Sequence, residues 1–246
     1  MKFVFVLPAM FIAAMAMTAQ ADVTYVDATA ANTTLADGSA FSFGNGTDAD
    51  DLWNNRGFGN DGGVITSNDN GNSEDAPRLR TTMSGLVAGQ THDVYAYFWG
   101  AGSNQNWRGR ASLTDDAGAL PGYNTNHFTA SSFSPMTYVT SESNDGSINP
   151  GPLSTADANG VENGGYFSNS VLTEEQDRRL YSVFLGSVAA DGTGNINVFI
   201  DDLENTSGAN RTWYDGVGFE AVPEPGSGLV LLITGLAAIS TRRRKR

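Results

Sequence analysis

The C-terminal end of the chain limits the part that can fold as a soluble domain. The last twenty-four residues begin at Pro223, continue through an apolar stretch at residues 228–240, and end in the basic run Arg242, Arg243, Arg244, Lys245 and Arg246. A compact fold does not need this order, whereas an apolar segment followed by clustered cations is typical of a membrane-inserted segment with a cytoplasmic end. We therefore predict a transmembrane helix over residues 228–240, with the five basic residues as its topology anchor.

This apolar stretch is short for a permanent anchor. Its thirteen residues would form a helix of about 20 Å at roughly 1.5 Å per residue, whereas a full span of the hydrocarbon core needs roughly twenty residues. Such a segment suits a protein that is held briefly in the membrane and then processed.

The N-terminal end predicts export. Lys2 precedes an apolar run, residues 3–17, and Ala19 and Ala21 form a small-x-small cleavage pattern. These are the parts of a secretory signal peptide. We assign residues 1–21 to the signal peptide, so the mature chain begins at Asp22 and depends on the general export machinery.

The tail resembles the PEP-CTERM sorting signal, which consists of a Pro-Glu-Pro motif, a hydrophobic segment and an arginine-rich end. Here the motif is Pro223, Glu224 and Pro225, within a sorting segment at residues 222–246. The resemblance implies a partner, exosortase, a membrane-embedded cysteine transpeptidase-like enzyme of Gram-negative bacteria that cleaves near this motif. It also implies an inner-membrane intermediate and a final location at the cell surface or in the extracellular matrix, usually in bacteria that make exopolysaccharide.

Between the two signals lies a region of about 200 residues, residues 22–221, which we interpret as one domain. It contains 26 acidic residues and 8 arginines, with no lysine and no cysteine, so its net charge is −18 and no disulfide stabilises it. Self-repulsion at this charge density favours the binding of cations. The same charge disfavours nucleic acid as a partner, because phosphates would find few positive groups.

The strand pattern predicts an all-β fold. Alternation of apolar and polar residues, or a run of β-forming residues, marks several segments separated by clusters of Gly, Asn, Asp and Ser. These segments are residues 23–26, 79–83, 92–99, 111–113, 179–188, 195–203 and 212–222. Only residues 173–179 read as helical, and the close spacing of the last two strands predicts a terminal hairpin. We predict an antiparallel two-sheet sandwich that is jelly-roll-like.

Few residues are suited to catalysis. No cysteine is available as a nucleophile, the two histidines, His92 and His127, lack zinc-type spacing, and no Gly-x-Ser-x-Gly sequence occurs. We interpret His92 as a solvated or hydrogen-bonded edge residue. Paired carboxylates such as Asp201 and Asp202 are the remaining route to glycoside cleavage, but neighbours on a strand point to opposite faces. We therefore assign no catalytic residue.

Calcium is the cofactor that the oxygen-rich segments suggest. Asp48 and Asp50 lie in a dense acidic stretch, and calcium takes six to eight oxygen ligands. A second candidate pair is Asp27, after the first strand, and Asp215, in the last strand, since these strands can be neighbours in a jelly roll. The alternative is that these residues cap their own backbone in turns.

Two tryptophans are candidates for ligand binding. Trp53 and Trp107 lie in polar stretches, and Arg108 follows the second of them. Flat aromatic rings stack on sugars while arginine and amides bond the hydroxyls. For both rings a core position is an equally good interpretation, whereas Trp99 and Trp213 are predicted to be core residues.

The region between the signals also loosely resembles the galactose-binding-like jelly rolls of carbohydrate-binding modules. This resemblance depends on the turn at residues 85–89 before the strand at residues 92–99, and on the closing strand at residues 213–219. It implies a non-catalytic, glycan-binding protein of the envelope or matrix, with a polysaccharide as partner. Two alternatives remain at this stage: a purely structural matrix protein, and a secreted glycan-cleaving enzyme.

Overall fold

Fourteen β-strands and no helix make up the part of the chain that the computed structural model describes. That part consists of residues 23–44, 51–60, 63–67, 75–101, 107–116, 118–125, 133–139, 174–175, 178–202 and 211–223. Ala21–Val222 form one compact unit, and the other unit, Met1–Gln20 with Pro223–Arg246, lies outside the described residues apart from Pro223. The predicted signal peptide and transmembrane segment fall outside the described residues.

The first eight strands are β1 (Thr24–Asp27), β2 (Thr33–Leu35), β3 (Asn54–Arg56), β4 (Val64–Ser67), β5 (Leu79–Met83), β6 (Thr91–Ala101), β7 (Arg108–Ser112) and β8 (Gly122–Asn124). The remaining strands are β9 (Ser134–Pro135), β10 (Thr137–Tyr138), β11 (Glu174–Glu175), β12 (Arg178–Ala189), β13 (Ile196–Asp201) and β14 (Thr212–Ala221).

These strands form two sheets. Sheet A has the order β10-β12-β6-β14-β4-β3, with β1 also paired to β14 and β11 to β12. Sheet B has the order β2-β5-β13-β7-β8-β9. All pairs are antiparallel except β8 with β9, and from β4 to β7 the chain alternates between the sheets, as in a jelly roll. The predicted all-β, two-sheet antiparallel sandwich is confirmed.

The main core lies between the sheets. Val94, Ala96 and Phe98 of β6 face Leu79 and Met83 of β5, and all five side chains are buried. On each strand these residues occupy every second position, because successive side chains of a strand point to opposite faces. Burial of this apolar surface is the dominant source of stability in a chain without disulfides.

Part of the outer face of sheet A is buried as well. Tyr95, Tyr97 and Trp99 alternate with the inner residues of β6 and pack in a second cluster with Val64 and Leu180. Residues 212–218 of β14 are consequently all buried, on both sides of the sheet. Strands buried on both faces lose the apolar and polar alternation that marks a half-exposed strand.

Two local predictions are wrong. The proposed helix at residues 173–179 contains strand β11 and the start of β12, because Glu174 pairs with Arg179 across an antiparallel ladder. The proposed terminal hairpin does not form either, since β13 belongs to sheet B and β14 to sheet A. Within the described residues, no helix is long and apolar enough to cross a membrane.

Candidate functional site

The first and last strands meet at a buried aspartate. β1 pairs with β14, with Asp27 opposite Gly216, which confirms that the chain's first and last strands are neighbours. On the other side of β14 the register with β6 shifts between Tyr214 and Gly216. Asp215 is the extra residue in this bulge, and its carbonyl accepts the Ala28 N–H at 2.9 Å. A bulge redirects a side chain out of the regular ladder.

Hydrogen-bond donors surround the Asp215 carboxylate, which is fully buried. The Tyr25 hydroxyl donates to Oδ2 at 2.6 Å, and the Asn60 side-chain N–H donates to the same oxygen at 2.8 Å. The Trp99 indole N–H also favours the charged form, yet burial outweighs these contacts and raises the pKa of Asp215 to about 6. Burial, followed by the negative charge of Asp215, raises the pKa of Tyr25 well above its usual range.

The predicted calcium pair is therefore brought together through a tyrosine. The Tyr25 hydroxyl reaches both Asp215 Oδ2 and Asp27 Oδ1, the second at 3.3 Å. A cation needs oxygen lone pairs directed at it, whereas Asp215 is contacted by O–H and N–H groups. Within the described ranges, no group of three or more Asp, Glu or His side chains is placed to hold a metal ion. Asp48 and Asp50 lie outside the described residues, so calcium there stays a prediction.

Replacement of Tyr25 by Phe tests this junction between the terminal strands. The change keeps the ring contact with Tyr97, whose centroid is 5.5 Å away, but leaves the buried Asp215 carboxylate with one donor fewer. Loss of a partner for a buried charged group costs about 1–3 kcal/mol, so we expect the free energy of unfolding, measured in urea, to fall by that amount. The matched control is Tyr123→Phe, at a half-buried tyrosine whose hydroxyl bonds no described residue; an equal loss in the control would contradict this role.

Both candidate ligand-binding tryptophans are core residues, which is one of the two roles that the sequence left open. Trp53 and Trp107 are each 1% exposed. The Trp53 indole N–H donates to the Pro77 carbonyl at 2.7 Å, and the Trp107 ring centroid lies 4.5 Å from that of Trp213. A ring enclosed in this way has no free face for a sugar. The exposed platform that formed the other alternative does not exist in this structure, while the core positions of Trp99 and Trp213 are confirmed.

Two arginines lie over the tryptophan pair. The Arg178 guanidinium carbon is 4.9 Å from the Trp107 ring centroid and 5.7 Å from that of Trp213. Arg56 lies 5.1 Å from the Trp213 centroid. Cation–π contacts of this kind contribute about 0.5–1 kcal/mol when exposed and more when desolvated. No local pattern in the sequence indicates this stack, because its members come from β3, the residue before β7, β12 and β14.

Arg108 occupies a different surface from the tryptophan that precedes it. Its guanidinium carbon lies 5.0 Å from the Phe133 ring centroid, and that of Arg110 lies 5.8 Å from the same point. Sequence reasoning identified Arg108 but missed Arg110. The Arg-x-Arg spacing was the available signal, since residues two apart on a strand share a face.

The adjacent aspartates at the end of β13 point in different directions, as expected for a strand. Asp201 accepts bonds from Arg78, whose Nη2 is 3.1 Å from Oδ2. Asp202 is 3% exposed, and its Oδ2 accepts the Ala76 N–H at 3.3 Å. Burial raises the pKa of Asp202 to about 7, and its bond with Ser67 offsets only part of this effect. The two carboxyl groups do not form a facing pair.

His92 is not the edge residue that the sequence suggested. It belongs to β6, which is paired on both sides, with β12 and with β14. The side chain is buried against the Phe219 ring, whose centroid is 5.5 Å away, and burial lowers its pKa. His127 lies outside the described residues.

The last strand ends where the proline-rich motif begins. β14 ends at Ala221, the Val222 N–H donates to the Thr91 carbonyl at 3.0 Å, and Pro223 is exposed. No linker therefore separates the final ladder bond from the motif, and Glu224 and Pro225 lie outside the described residues.

Comparison with known proteins identifies this C-terminal segment. Residues 221–245 match the PEP-CTERM protein-sorting motif, so the tail carries a sorting signal. No curated protein sequence matches the chain. Among solved structures, the chain is similar to the crystal structure of the GH26-CBM35 β-(1,4)-mannanase of Podospora anserina, with 12% sequence identity and a TM-score of 0.33. The similarity covers 84% of this chain and 29% of the mannanase chain, so this chain spans under a third of that protein's length.

Proposed function

We propose that this protein is exported, processed by exosortase at the membrane, and placed at the cell surface or in the extracellular matrix as a non-catalytic, glycan-binding component. The observation that carries this proposal is the PEP-CTERM motif at residues 221–245, which begins where the last strand of the sandwich ends. An acidic β-sandwich without disulfides supports the same role, because high net charge favours solubility outside the cell.

Asp201, Asp202 and Asp215 are not arranged for glycoside cleavage. Asp215 is enclosed by Tyr25 and Asn60, and Asp202 is bonded inside the fold. Glycoside cleavage requires two carboxyl groups that face each other across the sugar, about 5–9 Å apart. Asp201 and Asp202 are neighbours on the chain but do not share such a cleft.

Truncation after Val222 tests the sorting proposal. The shortened chain keeps the last bond of β14, from Val222 to Thr91, but lacks the motif, the apolar stretch and the basic end. We expect it to fold and to be released into the medium, whereas the full chain is retained by the cell. Immunoblots of medium, membrane and surface fractions measure this difference.

The matched control keeps the membrane segment and changes only the motif. Replacement of Pro223, Glu224 and Pro225 by alanine leaves residues 228–246 intact. We expect this variant to accumulate in the membrane at its unprocessed mass, because the enzyme no longer finds its motif. The sorting proposal fails if the truncated chain is retained in the same fractions as the full chain.

A further inference from the structure

The outer face of sheet B carries a group of arginines. In β5, β7 and β13 the side chains alternate between buried and half-buried. The buried set faces sheet A, so Arg80, Arg108, Arg110 and Phe199 lie on the outer face. Phe133 contacts the two arginines of β7. We define Arg80, Arg108, Arg110, Phe133 and Phe199 as the arginine face.

The strand register fixes the arrangement of this surface. Arg80 is directly opposite Phe199, and Phe199 is directly opposite Ser112, in one row across three strands. Because neighbouring strands are about 4.8 Å apart and alternate residues of a strand about 6.7 Å apart, the Cα atoms of Arg80 and Arg110 are about 12 Å apart, and those of Arg108 and Arg110 about 6.7 Å apart. The Phe133 ring packs directly on Gly122, where a Cβ atom would not fit. The three arginines are therefore spread along a sheet surface and do not converge on one point.

The charges on this face are exceptional in so acidic a protein. Residues 22–221 contain only 8 arginines against 26 acids, yet three of them share one sheet surface. Arg80, Arg108 and Arg110 make no ion pair with any described residue. Asp201 lies opposite Arg110 on the same face but is hydrogen-bonded by Arg78. Two carboxylates, Asp201 near Arg110 and Asp37 near Arg80, interact with these arginines only at longer range.

The guanidinium groups have few hydrogen-bond partners among the described residues. Arg110 donates to the Leu120 carbonyl at 2.8 Å, while the Nε atoms of Arg80 and Arg108 are buried and make no hydrogen bond, so a ligand would be bonded by the terminal N–H groups. Arg108 and Arg110 are like charges two residues apart on the same strand face, so they repel each other. A bound anion would relieve this repulsion.

The geometry points to a carboxylated polysaccharide as the ligand of the arginine face, and this inference rests on the proposed glycan-binding function. A guanidinium group is planar and matches a carboxylate through two parallel N–H···O bonds. Arginines whose Cα atoms are spaced by about 7–12 Å along one surface suit a chain that carries repeated acid groups better than a single small anion. The half-buried hydroxyl of Ser112 and amide of Asn197 lie on the same face and can bond sugar hydroxyls.

Charge density decides against nucleic acid. Duplex DNA carries one negative charge per about 1.7 Å, and a domain with a net charge of −18 repels such a polyanion strongly. A polysaccharide with at most one carboxylate per sugar has a lower charge density than duplex DNA, so it meets the three arginines at a smaller electrostatic cost.

The test compares two polysaccharides that share a backbone, polygalacturonate and its methyl ester. The full chain, purified in detergent, is expected to bind polygalacturonate and to bind the uncharged ester at least tenfold more weakly. The triple variant Arg80→Gln, Arg108→Gln, Arg110→Gln should lose at least tenfold in affinity for polygalacturonate. Isothermal titration calorimetry measures these affinities. If the triple variant does not fold, the single variant Arg80→Gln should bind polygalacturonate about threefold more weakly than the parent.

The control changes the net charge by the same amount at the opposite end of the strands. Ser84→Glu, Val87→Glu, Ala189→Glu adds three negative charges at exposed positions, and its affinity should stay within twofold of the parent. An equal loss in this control would reduce the effect to net charge and overturn the inference.

The remaining outcomes separate this inference from the proposed function. Binding of neutral glycans such as mannan by both the parent and the triple variant, without preference for polygalacturonate, would refute the arginine face but keep the glycan-binding proposal. Failure of the parent to bind any glycan would refute both. Equal affinity for dextran sulfate and polygalacturonate would overturn the assignment to carboxylates.

Discussion

The domain is expected to become less stable as the pH rises from about 4 to about 8, because two buried aspartates must then lose their protons inside the fold. The pKa of Asp215 is raised from 3.8 to about 6, and that of Asp202 from 3.8 to about 7, in both cases mainly by burial. At a pH between the unfolded and the folded pKa of each aspartate, the folded chain holds a proton that the unfolded chain has released. The contribution of each aspartate to stability is therefore fully present below its unfolded pKa and is lost as the pH rises through its folded pKa.

The magnitude follows from the size of each shift. One pKa unit corresponds to about 1.4 kcal/mol. The free energy of unfolding should therefore fall by about 3–4 kcal/mol for each aspartate between its unfolded and its folded pKa. Exposed Asp37 and Asp191 act in the opposite sense, because hydrogen bonds lower their pKa. Their contribution is lost only as the pH falls below about 4. Burial also raises the pKa of Asp201, which adds to the fall, and lowers the pKa of His92, which opposes the fall below about pH 6.5. Because Asp202 and Asp215 have the large shifts, we expect the highest thermal midpoint near pH 4–5.

Single substitutions assign this pH dependence to the two residues. Asp202→Asn should flatten the fall between pH 4 and about 7, and Asp215→Asn the fall between pH 4 and about 6. Calorimetric melting at several pH values measures the slopes. Asp116→Asn removes a charge from an exposed position and should leave the slope unchanged. A parent melting temperature that rises steadily from pH 5 to pH 8 would contradict the burial of these protons.

Gly59→Ala is expected to destabilise the fold by about 3–5 kcal/mol. Gly59 has a φ of 78°, a conformation that L residues rarely adopt. A Cβ atom there would lie 2.5 Å from Trp99 Nε1 and 2.8 Å from Asp215 Oδ1. Both neighbours are buried and have little room to move, so the strain of the backbone adds to the steric clash.

Gly85→Ala separates the cost of the backbone strain from the cost of the steric clash. Gly85 has a nearly identical φ of 79°, but no atom lies within 4 Å of the position that its Cβ would take. This control should lose only about 1–2 kcal/mol, the cost of the left-handed conformation. Urea unfolding of both variants measures the difference. Equal losses would show that the packing of Gly59 against Trp99 and Asp215 has no energetic weight.

The sequence predicted the strands that alternate clearly. The predicted strand at residues 79–83 coincides with β5, and the prediction at residues 92–99 lies within β6. The last strand, predicted at residues 212–222, is β14. Local alternation reports on burial, but it contains no information about which sheet a strand joins. The terminal hairpin failed for that reason, because residues 202–211 connect two different sheets.

The candidate site was predicted less well than the fold. Polar neighbours around Trp53 and Trp107 suggested exposed rings, yet both rings are buried. Trp53 packs in the main core and Trp107 in the second buried cluster, so polar neighbours on the chain do not place a ring in solvent. The Tyr25 contact with Asp215 spans 190 residues, which no local pattern can indicate.

The position of β14 has a consequence for the timing of folding. This strand is the last of the described strands, yet it lies inside sheet A and bonds to β1, β4 and β6, all formed from the first 101 residues. Sheet A therefore stays incomplete until β14 has crossed the membrane, because the position of β14 between the early strands is empty until then. In a polypeptide secreted from its N-terminus, sheet A would lack β14 for nearly the entire passage. The strand would join the sheet as the sorting signal reaches the membrane.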